Sequence, residues 1–345
     1  MAGRIIFLNC FPRDLVSGGI KTVYRHAFLL RQAGFQAQVL QSEGLPSWLG
    51  QEMLPLVCRD VKDLAEEDMV VFPEVLDGWY ADMIRQPMAG KKIIFCQNPY
   101  YFFTYRPSVE KLRDWGVTQV LAPGMEAAHL IQRVLGLEAV PVTSPVVDGA
   151  VFRPRQKKLQ ILCAEWKWPH QGGIPAYVCL FRDMLSLKYP QFSNVPWIPL
   201  KKRGEAEVAA LMGESAVCLA LGRMEALGIT ALEAMAAGCL VVGYHGGGGR
   251  EYATPQNGFW HSPEDMEGIV DSLAMALEGY VSGSSALLKM VEQGRCTARA
   301  CAREGQCADT AGLWMSLRMR LLPGAGKSCT AGMFSSLVND IKDIH

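Results

Sequence analysis

The chain has 345 residues, half of them hydrophobic and a fifth charged, with 34 basic and 34 acidic side chains. This length allows two domains with separate cores, and the composition is that of a globular protein. A formal net charge of zero argues against a general nucleic-acid binder, which normally carries a basic excess.

The first half of the sequence alternates short apolar strands with amphipathic helices. The predicted strands are 5–10, 36–40, 69–72, 93–96 and 120–122, and the predicted helices are 20–32 and 126–135. A glycine pair, Gly18 and Gly19, separates the first strand from the first helix. Strands that alternate with helices predict a parallel sheet with helices on both faces.

A turn-rich segment at 146–154 predicts a boundary, because Asp148, Gly149 and Pro154 are residue types that favour turns. A second alternation follows, with strands at 159–164, 197–200, 216–221 and 240–242 and helices at 176–187, 205–212, 231–237 and from 264 to 277. We therefore expect an α/β protein with one domain at 1–150 and a second at 151–322. A linker and a final amphipathic helix are expected within 323–345, with that helix packing back toward the first domain.

Cysteine usage and hydropathy bear on where the protein works. Of the eleven cysteines, five lie in or beside apolar strand-like runs, and no Cys-x-x-Cys is present. We therefore expect reduced thiols in a cytosolic protein. No apolar run approaches the ~18 residues of a membrane span, and a strand from Ile5 argues against a signal peptide. Peripheral attachment to the inner face of a membrane stays open.

The segment 225–251 carries the strongest functional pattern, EALGITALEAMAAGCLVVGYHGGGGRE. Glu225 precedes a predicted helix, Glu233 lies within it, and Gly238 ends it. Four consecutive glycines, 246–249, follow the next strand. Free N–H groups at a helix start can hold a diphosphate, carboxylates accept hydrogen bonds from sugar hydroxyls, and glycines let backbone approach a ligand. The pattern thus predicts a nucleotide-sugar site.

This pattern resembles the Glu-x7-Glu signature of retaining glycosyltransferases of the GT-B fold, most closely glycosyltransferase family 4, the bacterial group 1 enzymes. Typical members read S-x-x-E-G-F-G-L-x-x-L-E-A-M-A-x-G, whereas this chain has Ala226 and Leu227 in place of Gly-Phe. An ordinary amphipathic helix would explain the two glutamates alone, but the longer run and the glycine loop favour the family. The resemblance implies two Rossmann-like domains with parallel sheets that face a cleft.

The same resemblance implies a role for each part of the site. Glu233 would bind the ribose hydroxyls, and Glu225 would face the donor sugar. The residues expected to stabilise the departing diphosphate are Gly18, Gly19, Lys167, Gly228, Ile229 and Thr230. For the glycine pair, a plain strand-to-helix turn is the alternative.

Two segments depart from the family pattern. Many members carry a histidine near the transferred sugar, after the predicted strand 93–96, where this chain has Gln97 and Asn98. Either amide could bind a sugar hydroxyl, and Tyr100 could shape the acceptor pocket, although core packing of the aromatic residues is an equal alternative. In the second domain, alignment with members that read P-R-K-R-P retains Lys167 and puts Trp166 at the arginine position. Lys201 and Lys202 follow the next predicted strand, and they could add positive charge or simply lie in solvent.

No Asp-x-Asp occurs, and His170, His245 and His261 are scattered without a glutamate three residues before any of them, which predicts metal-independent transfer with no cofactor beyond the nucleotide-diphosphate sugar substrate. We expect a glycan or lipid-linked acceptor and a role in cell-surface polysaccharide synthesis. The missing histidine and arginine leave open a catalytically weak relative that binds a sugar nucleotide or a partner protein. A sugar-nucleotide 2-epimerase would need acid and base residues that we do not find. A dinucleotide-dependent oxidoreductase is disfavoured because no G-x-G-x-x-G follows the first strand.

Overall fold

The computed structural model describes residues 3–143, 145–163, 177–200, 203–300 and 303–322, without the side chains of 177 and 303–308. The expectations for Trp166, Lys167, Lys201, Lys202 and the segment 323–345 lie outside these residues. The chain forms two compact units. The first runs to Val146 and includes the described residues from Glu304 onward, and the second is Val147–Arg303.

The first unit contains a six-stranded sheet in which every pairing is parallel. In sheet order the strands are β3 (Val57–Cys58), β2 (Ala37–Leu40), β1 (Ile5–Leu8), β4 (Met69–Pro73), β5 (Lys91–Phe95) and β6 (Val117–Leu121). All residues of β1 and β4 are buried, as expected for strands with helices on both faces. The five predicted strands are confirmed, whereas β3 is too short to leave a signal in the sequence.

Four helices of the first unit lie between these strands along the chain: α1 (Gly18–Gln32), α2 (Gly78–Arg85), α3 (Pro99–Thr104) and α4 (Val109–Asp114). Helix α5 (Met125–Leu135) follows β6. In α1, Ser17 is the N-cap, and its side chain accepts a hydrogen bond from the N–H of Gly19 at 3.2 Å. This cap makes the helix begin two residues earlier than predicted. Gly18 and Gly19 therefore form its first turn at the carboxyl end of β1.

The second unit contains a five-stranded parallel sheet. Its strands in sheet order are β11 (Phe259–Trp260), β10 (Leu240–Gly243), β9 (Ser215–Ala220), β7 (Lys158–Cys163) and β8 (Trp197–Pro199). Its helices are α6 (Tyr177–Lys188), α7 (Glu205–Glu214), α8 (Ile229–Ala236), α9 (Met266–Ser282) and α10 (Ser285–Ala300). The α/β class predicted from the sequence is confirmed in both units.

Helix α11 (Arg303–Leu321) differs from the predicted domain organisation. The sequence assigned residues up to 322 to the second domain, but Ala311, Trp314 and Leu317 are buried in the core of the first unit. The Trp314 ring lies edge-on to Phe7, with 5.6 Å between ring centroids. Helical periodicity shows that α11 has an apolar face, but it does not show which core that face joins.

The boundary between the units also lies slightly earlier than predicted, after Val146 instead of residue 150. Val147 and Phe152 are both buried in the core of the second unit, so the turn at Asp148 belongs to that unit.

No helix among the described residues is long and apolar enough to cross a bilayer.

Candidate active site

The loop that carries Glu225 lies at the carboxyl end of β9 and leads directly into α8. Gly228 is the N-cap of α8 and has a left-handed φ of 81°, a conformation that glycine adopts without a steric penalty. The carbonyl oxygen of Gly228 accepts a hydrogen bond from the Tyr252 hydroxyl at 3.0 Å. Ligands of open α/β sheets bind beyond the carboxyl ends of the strands, which is where this loop lies.

The glycine-rich segment after β10 is joined to the Glu225 loop by backbone hydrogen bonds. The Glu225 N–H donates to the Gly246 carbonyl at 2.8 Å, and the Gly248 N–H donates to the Glu225 carbonyl at 2.9 Å. A Cβ atom on Gly248 would lie 2.0 Å from the Ala226 oxygen. The sequence predicts that these glycines let the backbone approach a ligand. The structure adds that Gly248 is required for the two loops to touch.

A pocket opens beside these two loops, at the ends of β9 and β10. Its lining includes Gly222, Glu225, Gly228, Thr230, His245 and Tyr252. The His245 Nδ1 atom accepts a hydrogen bond from the Gly247 N–H at 3.1 Å, which fixes the imidazole ring against the glycine segment. The structure thus brings three of the predicted site residues, Glu225, Gly228 and Thr230, together around one cavity.

Ile229 and Glu233 are placed differently from those three residues. Both are in α8, and neither is among the described residues that line the pocket. The Glu233 side chain is only 4 % exposed, so its carboxylate is held within the unit, in the second turn of the helix. Glu225 precedes α8 and Glu233 lies within it, as the sequence predicts.

In the first unit, the structure brings Gln97 against the start of α1. A Cβ atom added to Gly19 would lie 3.5 Å from the Gln97 Nε2 atom, an ordinary van der Waals contact. Asn98 is the N-cap of α3, and its Oδ1 atom accepts a hydrogen bond from the Tyr100 N–H at 3.0 Å. Gln97 and Gly19 are therefore neighbours, whereas the Asn98 side chain also has a structural task.

The aromatic residues of the run 100–103, Tyr-Tyr-Phe-Phe, differ in how deeply they are buried. Tyr100 is half-buried in the first turn of α3, Tyr101 is 58 % exposed, and Phe102 is fully buried. Core packing thus accounts for Phe102 and not for the more exposed Tyr100 and Tyr101. Phe102 belongs to the core, and Tyr100 remains available for the predicted pocket.

Sequence reasoning missed Glu74, which follows β4 directly. The carboxyl group is buried, and its Oε2 atom accepts a hydrogen bond from the Gln97 N–H at 3.1 Å. Burial raises the pKa of Glu74 to about 7, although backbone hydrogen bonds to the carboxylate act in the opposite direction. A signal was present, since Glu74 is a carboxylate at the end of an apolar run of the same length as the other strands.

Comparison with known proteins shows a similarity in the part of the chain that carries the pocket. Residues 193–295 match the family described as "Glycosyl transferases group 1". This match contains both glutamates, all of α8 and the glycine segment. The segment of the second unit that carries the candidate site is therefore similar to this family.

Whole-chain similarities extend the comparison. An alpha-1,6-glucosyltransferase from Actinobacillus pleuropneumoniae is 22 % identical over 282 residues, which cover 79 % of this chain and 84 % of that protein. A glycosyltransferase structure from Rickettsia africae has a TM-score of 0.64 at 14 % identity, covering 94 % of this chain and 99 % of that one. The Anabaena protein HepE, solved with UDP-glucose, has a TM-score of 0.62 at 14 % identity, covering 91 % and 99 %. The fold is thus that of the GT-B glycosyltransferases.

Proposed function

We propose that this chain is a retaining glycosyltransferase that moves a sugar from a nucleotide-sugar donor to a hydroxyl group of a glycan or another acceptor. The observation that carries the proposal is the pair of loops at the ends of β9 and β10. They hold Glu225, the start of α8 and the glycine segment around one pocket. This is the segment that matches the group 1 family.

The donor would bind with its diphosphate at the start of α8. Backbone N–H groups in the first turn of a helix lack partners within the helix and carry a partial positive charge, so they attract a phosphate. Gly228, Ile229 and Thr230 form this start, with Thr230 also lining the pocket. Glu233 would accept hydrogen bonds from the ribose, and Glu225, at the pocket wall, would contact the sugar.

The reaction would proceed on one face of the sugar. The bond from the anomeric carbon to the donor phosphate breaks, and the diphosphate departs with the electron pair. The acceptor oxygen forms the new bond from the same side, and its proton passes to a phosphate oxygen of the leaving group. Donors aimed at that diphosphate stabilise the charge that develops on it, and no side-chain nucleophile is required.

The relatives suggest a donor, whereas the acceptor and the cellular role are our own proposals. The Actinobacillus protein is named as a glucosyltransferase, and HepE was solved with UDP-glucose, so a hexose from a UDP-sugar is the first donor to test. We propose that the protein acts at the cytoplasmic face of the membrane, where it transfers sugar to a glycan or lipid-linked acceptor in surface-polysaccharide synthesis. We also propose transfer without a metal ion, on the basis of the absent Asp-x-Asp motif.

A donor screen tests this function. We expect one nucleoside diphosphate and its sugar to raise the melting temperature of the full chain, because a ligand of the native state stabilises it. Release of that diphosphate from the sugar nucleotide should continue in excess EDTA. If no nucleoside diphosphate or sugar nucleotide bound, the proposed function would be wrong. Loss of turnover in EDTA with recovery in Mn²⁺ would overturn only the metal-free mechanism.

A catalytically weak relative remains the second candidate. Gln97 stands where many family members have a histidine, and an amide cannot exchange a proton as an imidazole does. Binding of a sugar nucleotide without any release of diphosphate, under conditions that include candidate acceptors, would favour this candidate over the enzyme.

Replacement of Glu233 should mainly lower nucleotide affinity, whereas replacement of Glu225 should mainly lower turnover. Glu233→Ala should weaken nucleotide binding by ~1.5–3 kcal/mol, the scale of a hydrogen bond to a charged group. Glu225→Gln should leave the affinity for free nucleotide nearly unchanged and lower turnover, because Glu225 lines the pocket ahead of the helix. Calorimetry with nucleotide and turnover assays measure the two effects.

Glu278→Ala is the control for this pair, because Glu278 is an exposed helical glutamate of the same unit. It should change neither quantity. Circular dichroism identifies variants that have lost structure, which matters for the buried Glu233. Equal loss of nucleotide affinity in folded Glu225→Gln and Glu233→Ala would contradict the separate roles.

A further inference from the structure

Glu74 is a buried acid at the edge of the first sheet formed by the carboxyl ends of its strands, the edge at which open α/β sheets bind ligands. It follows β4, whose last residue Pro73 pairs with Phe95 at the end of β5. Only 8 % of its surface is exposed. Acidic side chains are seldom buried without hydrogen-bond partners, because the charge loses its hydration. The position therefore needs an explanation beyond packing.

The partner of the Glu74 carboxyl group is the turn that follows β5. Its Oε2 atom accepts the Gln97 N–H at 3.1 Å, and the backbone of Asn98 also interacts favourably with the carboxylate. Backbone N–H groups in such a turn have no neighbouring strand to bond, and a buried donor without a partner costs free energy. An apolar residue at position 74 would leave this turn without its acceptor.

The turn held by Glu74 has the two side chains predicted to contact sugar. Gln97 lies against Gly19 in the first turn of α1, and Asn98 caps α3. A backbone shift at Gln97 would therefore move its amide relative to α1. A displacement of about 1 Å at a reacting centre can cost about 10²-fold in rate.

We infer that Glu74 is a positioning residue of the transfer site, which holds the Gln97–Asn98 turn so that the Gln97 side chain keeps its place beside Gly19. This inference rests on the proposed function. Glu74 itself is buried and contacts the turn, so it acts through Gln97 and not on the sugar directly.

The test is a double-mutant cycle with the full chain. The variants are Glu74→Met, which removes both acceptor oxygens, Gln97→Ala, and the two combined. The rate measured is UDP release from UDP-glucose, or from the sugar nucleotide that the donor screen selects. We expect each single variant to lose at least about 10-fold, and the combined variant to lose no more than the worse single one, since residues that act as a unit are not additive.

Conservative variants separate positioning from general support of the fold. Glu74→Gln keeps one acceptor oxygen and should retain the rate within about 3-fold. Asp77→Asn, at the exposed start of α2, is the matched control and should retain the full rate. Should Glu74→Met fail to fold, Glu74→Asp replaces it in the cycle, because its carboxyl group is one methylene further from the turn.

Additive losses, or a full rate in folded Glu74→Met, would overturn the inference. All variants should keep the rise in melting temperature with UDP, because the nucleotide site is assigned to the second unit. If the wild-type chain itself neither binds UDP nor a sugar nucleotide, the proposed function fails, a result distinct from additivity within the cycle.

Discussion

Gly248→Ala should reduce turnover by about 10²-fold and cost roughly 3 kcal/mol of unfolding free energy. The added Cβ atom would lie 2.0 Å from the Ala226 oxygen and 2.2 Å from its carbonyl carbon, and both are backbone atoms that no rotamer change can move. The glycine segment must then shift by an ångström or more, and the hydrogen bond from the Gly248 N–H to the Glu225 carbonyl is lost. Overpacking accounts for the loss of unfolding free energy, and a misplaced reacting group accounts for the loss of turnover.

Gly149→Ala is the matched control, since it makes the same change in the same unit. A Cβ atom on Gly149 meets nothing within 4 Å, so both stability and turnover should stay near wild type. Chemical denaturation and diphosphate release measure the two quantities. Wild-type turnover in Gly248→Ala would show that contact between the two loops does not position Glu225.

The fold could be predicted from the sequence because the central strands β1, β4, β9 and β10 are buried on both faces. The sequence of such a strand is a continuous apolar run, as in Ile5–Leu8. Where these runs alternate along the chain with segments of helical periodicity, the sequence indicates a parallel sheet. The features that could not be predicted depend on information that no local sequence pattern contains. The two-residue strands have too few side chains for a pattern, and nothing in α11 identifies the core that buries Trp314.

The candidate site could be predicted only where a motif spans consecutive residues. Glu225, Gly228 and Thr230 share one pocket because they share one loop and helix start. Tyr252 and Glu74 were missed because their partners lie far away in sequence. Tyr252 bonds Gly228, and Glu74 bonds Gln97 across two neighbouring strand ends. Strand order places those ends side by side, and sequence spacing does not reveal strand order.

The proposed transfer needs positive charge at the leaving diphosphate. None of the described residues that line the pocket beside Glu225 is lysine or arginine. Helix N–H groups supply only partial charges, equivalent to about half an elementary charge. A full cation must then come from another segment. Alignment with the family assigns that role to Lys167, with Trp166 at the usual arginine position.

Lys167→Ala should therefore lower turnover by ~10²–10³-fold, the usual effect of removing one preorganised group that stabilises transition-state charge. Lys167→Arg should restore only part of it, because a planar guanidinium and a compact ammonium differ in shape and hydration. Lys201→Ala and Lys202→Ala are the comparison variants and should change turnover far less. Binding of free diphosphate nucleotide should fall less than turnover, because the charge on the leaving group grows as the glycosidic bond breaks. Near-wild-type turnover in Lys167→Ala would instead mean that the side chain only covers neighbouring aromatic surface, and a large loss in Lys201→Ala or Lys202→Ala would move the phosphate role to that residue.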